Sequence, residues 1–315
     1  MFPYDIHPII PEKDAADSAV LIETCFRPWL DQDNLNYLRS LREEGTYAMQ
    51  HPLLTRFSVF PYKLEGVVCR DHDGKLLGLI NSYFFQLNGK DCCLLANVCV
   101  DPAHRGEGIA SQMLEKIEEI QFSAGIRDLF LQARVQMPEV IQLYRRRNFM
   151  ITDYRDTWIC PAGKPLQQKD PGLRLEPVPG SDREKFRSRM AEVYPDTVLW
   201  NLDCKKGLFH TGTAALVRNW IETPSNRFRR VVNSEGQVRA WAAYQKMNGS
   251  ADTLWFIPEE DLSADSRISV LQFLRSCFPG KKPLKLDTAT GSDPRICKEA
   301  GFSHLQTLAW MWKKL

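Results

Sequence analysis

The same order of signals runs through this chain twice, and that repetition limits its folding to two lobes of similar build. Ile6-His7-Pro8-Ile9-Ile10-Pro11-Glu12-Lys13-Asp14 reads as a short strand, a proline and a helix-starting acid, followed by a helical stretch carrying Ala19, Leu21, Ile22 and Phe26. At an offset of about 168 residues, Leu173-Arg174-Leu175-Glu176-Pro177-Val178-Pro179-Gly180-Ser181-Asp182 repeats the order, and Phe186, Met190 and Val193 continue it as a helix. Val67-Val68-Cys69-Arg70, Asp73-Gly74 and Leu76-Leu77-Gly78-Leu79-Ile80 form a strand, a turn and a strand. Arg230-Val231-Val232-Asn233, Glu235-Gly236 and Val238-Arg239-Ala240-Trp241-Ala242-Ala243-Tyr244 are its echo. A third echo pairs Leu143-Tyr144-Arg145-Arg146-Arg147-Asn148-Phe149 with Ile296-Cys297-Lys298-Glu299-Ala300-Gly301-Phe302.

A length of 315 residues suits two domains of about 150 residues each. The segment Cys160-Pro161 to Gly172, rich in Pro, Gly and polar residues and without an apolar period, separates them. The expected division is therefore a first domain over 1–160, a linker over 161–172 and a second domain over 173–315. Apolar residues at 43% and charged residues at 25% are those of a chain that folds and packs. A formal net charge of +2 supplies no general attraction to nucleic acid or to an anionic membrane, so any anion site is local. Met1-Phe2-Pro3-Tyr4-Asp5 has no basic leader, and no stretch approaches about 20 uninterrupted apolar residues, so a cytoplasmic protein is expected. The nine cysteines include no C-x-x-C pair, and Cys92 and Cys93 lie in an apolar run, which suggests buried, reduced thiols and no metal site.

Chemistry concentrates in one loop. Leu94-Leu95-Ala96-Asn97-Val98-Cys99-Val100 is an apolar, β-branched strand, ended by Asp101-Pro102. Ala103-His104-Arg105-Gly106-Glu107-Gly108-Ile109-Ala110 follows and opens a helix whose apolar positions Ile109, Met113, Leu114, Ile117 and Ile120 recur at helical spacing. A helix start leaves amides unpaired, and with the macrodipole these favour an anion by about 0.3 to 1 kcal/mol per charge. Gly106 and Gly108 let a pyrophosphate approach the backbone, and Arg105 adds a fixed charge. By themselves two glycines suit any tight strand-to-helix connection. The loop has neither the spacing of a dinucleotide fingerprint nor the Gly-Lys-Ser/Thr ending of a P-loop.

Arg105-Gly106-Glu107-Gly108-Ile109-Ala110, preceded by Val98-Cys99-Val100-Asp101-Pro102, resembles the acyl-coenzyme A loop of the GNAT superfamily of N-acetyltransferases. The resemblance implies an α/β (α+β) fold in two tandem GNAT-like lobes, each a mixed, mostly antiparallel twisted sheet flanked by helices. It implies acetyl-coenzyme A as cosubstrate, held at the phosphates by Arg105, Gly106, Glu107, Gly108, Ile109, Ala110 and Ser111. Val98, Cys99 and Val100 would pair through their backbone with the pantetheine arm, as an added strand would. Leu143-Tyr144 and Asn148-Phe149 resemble the family's Leu-Tyr-x-x-x-Gly-Phe, which makes Tyr144 the acid that protonates the departing thiolate. Asn148 stands where the family has Gly, a conformation Asn also visits.

Three positions depart from the pattern. Met137 stands where many members have Asn, and Leu94 and Ala96 stand where others carry a Glu or His base. Asn97, Asn81 and Tyr83 could hold water that accepts the amine proton, or serve structure alone. In the second lobe, Leu254 to Pro258 leads into Glu259-Glu260-Asp261-Leu262-Ser263-Ala264-Asp265-Ser266-Arg267, with no glycine and four acids, and Cys297 replaces the tyrosine. That lobe is expected not to bind the coenzyme. The resemblance thus implies direct attack of a primary amine on the thioester in a ternary complex, with no metal. The acceptor would be a small-molecule or peptide amine, and the assembly a monomer or homodimer. The alternative is a non-catalytic acyl-coenzyme A binding or regulatory protein.

Overall fold

Pro11 sits in the first turn of the first helix, where its missing amide costs nothing, and the Asp14 carboxylate accepts from Ile10 N at 2.7 Å. The same carboxylate, 1% exposed, pairs at 2.7 Å with Arg70 from the neighbouring strand. The computed structural model in which these contacts occur describes residues 3–50, 64–163, 172–202, 228–277 and 280–315. Most of the segment expected to be a linker lies outside the described residues.

The first compact unit comprises Met1–Ala133, Glu139–Ile151 and Met311–Leu315. Its strands are β1 (Asp5–Pro8), β2 (Gly66–Arg70), β3 (Leu76–Leu87), β4 (Lys90–Val100) and β5 (Asp128–Arg134), adjacent in that order. β1 to β4 are antiparallel and β5 runs parallel to β4. Helices α1 (Pro11–Phe26) and α2 (Gln32–Gln50) bury Ala15, Ala19, Ile22, Leu38 and Leu41 against Val68, Leu79 and Cys99 of the sheet. Gly78, one residue along β3 and hence on the other face, lies against Ile109 and Met113 of α3 (Ile109–Ser123). α4 (Pro138–Arg146) precedes the last strand of the first half. The chain's final residues also belong to this unit, because Trp312 Nε1 and Lys314 Nζ bond to Asp128 (2.9 and 3.0 Å) and Leu315 N donates to Arg127 O.

The second unit comprises Arg134–Pro138 and Thr152–Trp310. Its elements are β6 (Met150–Cys160), β7 (Arg174–Pro177), α5 (Arg183–Val193), α6 (Asp196–Leu199), β8 (Arg229–Val232), β9 (Val238–Gln245), β10 (Asp252–Pro258), α7 (Ala264–Cys277), β11 (Leu284–Ala289), α8 (Pro294–Glu299) and β12 (Ser303–Lys314). The sheet order is β12-β6-β11-β10-β9-β8-β7. Residues 152–160, expected to close the first domain, cluster here because β6 pairs with β11 from Leu284↔Cys160 to Ala289↔Arg155. The compact units therefore do not coincide with 1–160 and 173–315. Strand alternation supplies two cores: Ala240, Ala242, Leu254 and Phe256 face α7, whereas Trp241, Ala243, Trp255 and Ile257 face α5.

The echoes seen in the sequence recur atom by atom. In the first hairpin Asp71 N donates to Lys75 O and Gly74 N to Asp71 O, and in the second Asn233 N donates to Gln237 O and Gly236 N to Asn233 O. Gly74 and Gly236 have φ of 81° and 80°. The register shifts at the same step, between Cys69 and Arg70 and between Val231 and Val232. At the end of α4, Asn148 takes φ 64° and Phe149 N donates to Tyr144 O; at the end of α8, Gly301 takes φ 83° and Phe302 N donates to Cys297 O.

Gly45 fixes how closely α2 crosses α1, since a Cβ there would meet Ala16 N at 2.6 Å and Ala15 Cβ at 2.9 Å. Gly45→Val is expected to force the helices apart and to cost about 1 to 3 kcal/mol, measured as a lowered midpoint in urea unfolding. An unchanged midpoint would show that this crossing is not tightly packed.

Candidate active site

A polar residue in the middle of an apolar strand starts the site. Asn97 of β4 adopts φ 50°, and around it β4 has one more residue than β3: Leu79 pairs with Cys99 but Asn81 pairs with Ala96. That extra residue is a bulge. It is stabilised by Asn97 Nδ2, which donates to Asn81 Oδ1 at 2.9 Å, and Asn81 is 1% exposed. On its other side β4 pairs with β5 only from Cys92↔Asp128 to Leu94↔Phe130. The two parallel strands part ahead of the bulge, so Cys99 and Val100 pair with β3 and not with β5, while Val98 lies in the bulge.

The loop follows directly. Asp101 N donates to Leu77 O, and the Asp101 carboxylate accepts from Ala103 N (3.0 Å) and pairs with Lys75 (2.8 Å). The Lys75 ammonium holds this carboxyl below its usual range, assisted by the Ala103 amide. Arg105 is exposed and its Nε donates to Val100 O at 3.3 Å. Gly106 and Gly108 take φ of 86° and 84°, and a Cβ on either would meet no atom within 4 Å. The requirement for glycine here is therefore the left-handed backbone and the open space in front of it. Gly108 caps α3 without a side-chain hydrogen bond, and Gln112 N donates to Gly108 O at 3.1 Å. The amides of Ile109, Ala110 and Ser111, in the first turn, have no acceptor within the helix and lie where an anion could receive them. Ile109 itself is 1% exposed, so its side chain packs in the core and only its amide is available.

Glu107, between the glycines, is an acid in a loop suited to anions. Its carboxylate is engaged by the Tyr4 hydroxyl and lies 3.4 Å from His104 Nδ1, and the Tyr4 hydrogen bond holds it below the usual carboxylate range.

Tyr144 comes from α4 and is 3% exposed. It stacks edge-on to Phe149 at 5.8 Å, and burial pushes its phenol above the ordinary value, with the Cys99 thiol adding to the effect. The hydroxyl stays protonated at neutral pH. Arg145 and Arg146 are exposed, as expected of a solvated helix face, but Arg147 is not part of that face: it pairs with Glu118 (2.8 Å) and Glu115 (3.7 Å), which ties α4 to α3. Tyr83 is pushed up by burial and bonds to Tyr37 of α2. Among the described residues, no group of three or more His, Cys, Asp or Glu side chains is placed to hold a metal ion. No described helix is long and apolar enough to cross a membrane.

Strand, bulge, glycine loop and helix fall within residues 32–149, which match the Acetyltransferase (GNAT) family. That match covers a little over a third of the chain. No curated protein sequence matches it. Among solved structures it is similar to a GCN5-related N-acetyltransferase from Sphaerobacter thermophilus, at 14% identity and a TM-score of 0.59, over 99% of this chain and 96% of that one. It is also similar to the GCN5-related glucosamine N-acetyltransferase region of a fungal multi-domain β-N-acetylglucosaminidase, at 11% identity and a TM-score of 0.57, over 98% of this chain and 38% of that one. A tandem GNAT protein from the clavulanic acid biosynthesis pathway matches at 13% identity and a TM-score of 0.50, over 99% of this chain and 98% of that one. At these identities the likeness is one of fold: a tandem GNAT architecture with a mixed, mostly antiparallel sheet flanked by helices. Family and fold together support acyl transfer.

The second GNAT-like lobe has the same scaffold with its ligand features replaced. β10 and β11 are parallel partners only from Asp252↔Leu284 to Leu254↔Leu286, so they part as β4 and β5 do. Here the gap is filled from within. Tyr194, 1% exposed, accepts from Phe256 N at 3.4 Å and donates to Asp287 O at 3.1 Å, bridging the two strands with one hydroxyl. Arg155 packs over its ring and pairs with Asp287 at 2.5 Å. At the loop counterpart, Ser263 Oγ accepts from Ser266 N, and Arg267 donates to Leu262 O and Glu260 O. In the second lobe the parted strands and the loop after β10 are thus bridged by the chain's own side chains. The sequence drew attention to the acidic loop but not to Tyr194, because a tyrosine after a helix carries no sign of the strands it will bridge.

Tyr194→Phe removes that bridge and leaves Phe256 N and Asp287 O without it. It is expected to destabilise the protein by about 1 to 3 kcal/mol in denaturant unfolding. Wild-type stability in the phenylalanine variant would show that the hydroxyl is dispensable.

Proposed function

We propose that the protein is an N-acetyltransferase that moves an acetyl group from acetyl-coenzyme A to a primary amine in a ternary complex. The observation that carries this reading is the run of two left-handed glycines opening an uncapped helix directly after a strand that has parted from its neighbour. Arg105, Gly106, Glu107, Gly108, Ile109, Ala110 and Ser111 would hold the pyrophosphate, chiefly through backbone amides. Val98, Cys99 and Val100 would receive the pantetheine arm along the edge that β5 leaves bare. Glu107 is engaged by Tyr4 and His104, so the loop's own acid already has partners within the chain before an anion arrives.

Tyr144 is the proposed acid. The amine nitrogen bonds to the thioester carbonyl carbon, the carbon–sulfur bond breaks, and Tyr144 gives its proton to the departing sulfur. The surplus proton of the amine returns to the phenolate through solvent. Leu94 and Ala96 carry no proton acceptor, so the amine enters neutral or loses its proton to water; the Asn81–Asn97 pair is placed to order such water. The same lack of a base favours the second reading, a protein that binds acyl-coenzyme A without turning it over. We place the acceptor among small-molecule or peptide amines, the protein in the cytoplasm, and the assembly as a monomer or homodimer.

Thiol release from acetyl-coenzyme A across a panel of amines decides between the readings; binding without release on any amine favours the second. Tyr144→Phe is expected to lower kcat about 10²-fold while the Kd for acetyl-coenzyme A stays the same. Equal turnover in that variant removes Tyr144 from the mechanism. Because burial raises the Tyr144 phenol, activity should not decline through its ionisation below about pH 10. Gly108→Val puts a β-branched residue at φ 84° and is expected to raise that Kd at least about tenfold; retained affinity contradicts the assignment of the loop.

A further inference from the structure

Helix α1 ends beside the glycine loop, and the residue it brings there is a thiol. Cys25, half-buried in the last turn of α1, donates from Sγ to Val100 O at 3.4 Å, the same carbonyl that accepts from Arg105 Nε. It packs against the apolar cluster that contains Cys99, which is 5% exposed, and the carbonyl it meets belongs to the residue next to Cys99. The neighbouring Cys99 draws the Cys25 thiol down to about 7, and Arg105 acts the same way against the opposing effect of burial. The other seven described cysteines are all pushed up: Cys69 and Cys93 to about 11 and Cys297 to about 12, with Cys92, Cys99, Cys160 and Cys277 raised as well. Cys25 alone among them combines partial exposure, thiolate character and a thiol neighbour, the combination that marks a redox-responsive cysteine.

We propose that Cys25 and Cys99 form a reversible disulfide on exposure to peroxide, and that this bond lowers the affinity of the glycine loop for coenzyme. The Cys25 thiolate attacks one peroxide oxygen, the O–O bond breaks, and hydroxide leaves, so sulfur is oxidised to sulfenic acid and peroxide is reduced. Cys99 gives up its proton to that hydroxide and its sulfur displaces the second hydroxide from Cys25, forming the S–S bond. The net change consumes two thiols and one hydrogen peroxide and yields one disulfide and two waters. The new bond joins the end of α1 to β4 inside the stretch Val98–Val100 and withdraws the Cys25 thiol from Val100 O, where Arg105 is also anchored. The chemistry of the pair is independent of the proposed function; its effect on affinity rests on that function.

The test treats the full-length protein with a small excess of hydrogen peroxide and maps the unreduced digest by mass spectrometry. The expected result is a Cys25 peptide joined to a Cys99 peptide, released by dithiothreitol. The Kd for acetyl-coenzyme A should rise about tenfold on oxidation, a coupling of ordinary size, and return on reduction. Cys25→Ser should bind acetyl-coenzyme A as the wild type does and show neither the linkage nor the peroxide effect. Sulfinic acid at Cys25 with no linked peptide, or Cys99 joined to another cysteine, overturns the pairing. A Cys25–Cys99 linkage with unchanged affinity overturns the coupling. An untreated protein that binds no acetyl-coenzyme A defeats the proposed function and with it the coupling, while the peptide map still decides the pair.

Discussion

A strand in the middle of a sheet must satisfy backbone groups on both edges, and β4 does so only over its first residues. Beyond Leu94 it keeps β3 and loses β5, and the left-handed turn at Asn97 makes the separation possible. An edge of unpaired amides and carbonyls inside a protein costs free energy unless something pairs with it. The glycine loop and the uncapped start of α3 follow directly at the end of that strand. The bulge lets an apolar strand turn its backbone away from β5 while Cys99 stays in the core.

The second lobe shows what the same scaffold does without a ligand. β10 and β11 part at the corresponding step, and the backbone groups so freed are met by Tyr194, whose single hydroxyl bridges Phe256 and Asp287. The loop after β10 closes on Ser263 and Arg267 in the same way. Hairpin turns, register shifts and helix ends are shared between the lobes down to individual hydrogen bonds. The divergence is thus confined to the places where a ligand would replace protein contacts. Filling those places from within removes the cost of leaving them empty.

Much of this was legible in the sequence because it rests on local rules. Period-two and period-3.6 patterns located the strands and helices, a proline and an acid marked the start of α1, and the glycine pair with its flanking strand and helix located the loop. Asn148 was readable as a stand-in for glycine because it occupies the left-handed position that ends α4. What escaped was non-local. Cys25 lies 75 positions from Val100, and Tyr194 lies 62 from Phe256 and 93 from Asp287, distances along the chain over which no sequence period carries information.

The allotment of strands divides along the same line. Amino-acid order by itself determined that there are two lobes of one design, and which of them carries the paired glycines and the tyrosine proposed as the acid, because each follows from side-chain chemistry within a few residues. Only the tertiary structure decided that β6 clusters with the second unit and the final five residues with the first, that β4 parts from β5 where it does, and that a thiol from α1 meets Val100. Those outcomes depend on hydrogen bonds and packing between segments far apart in the chain, where the choice of partner is made by the whole fold and not by either segment.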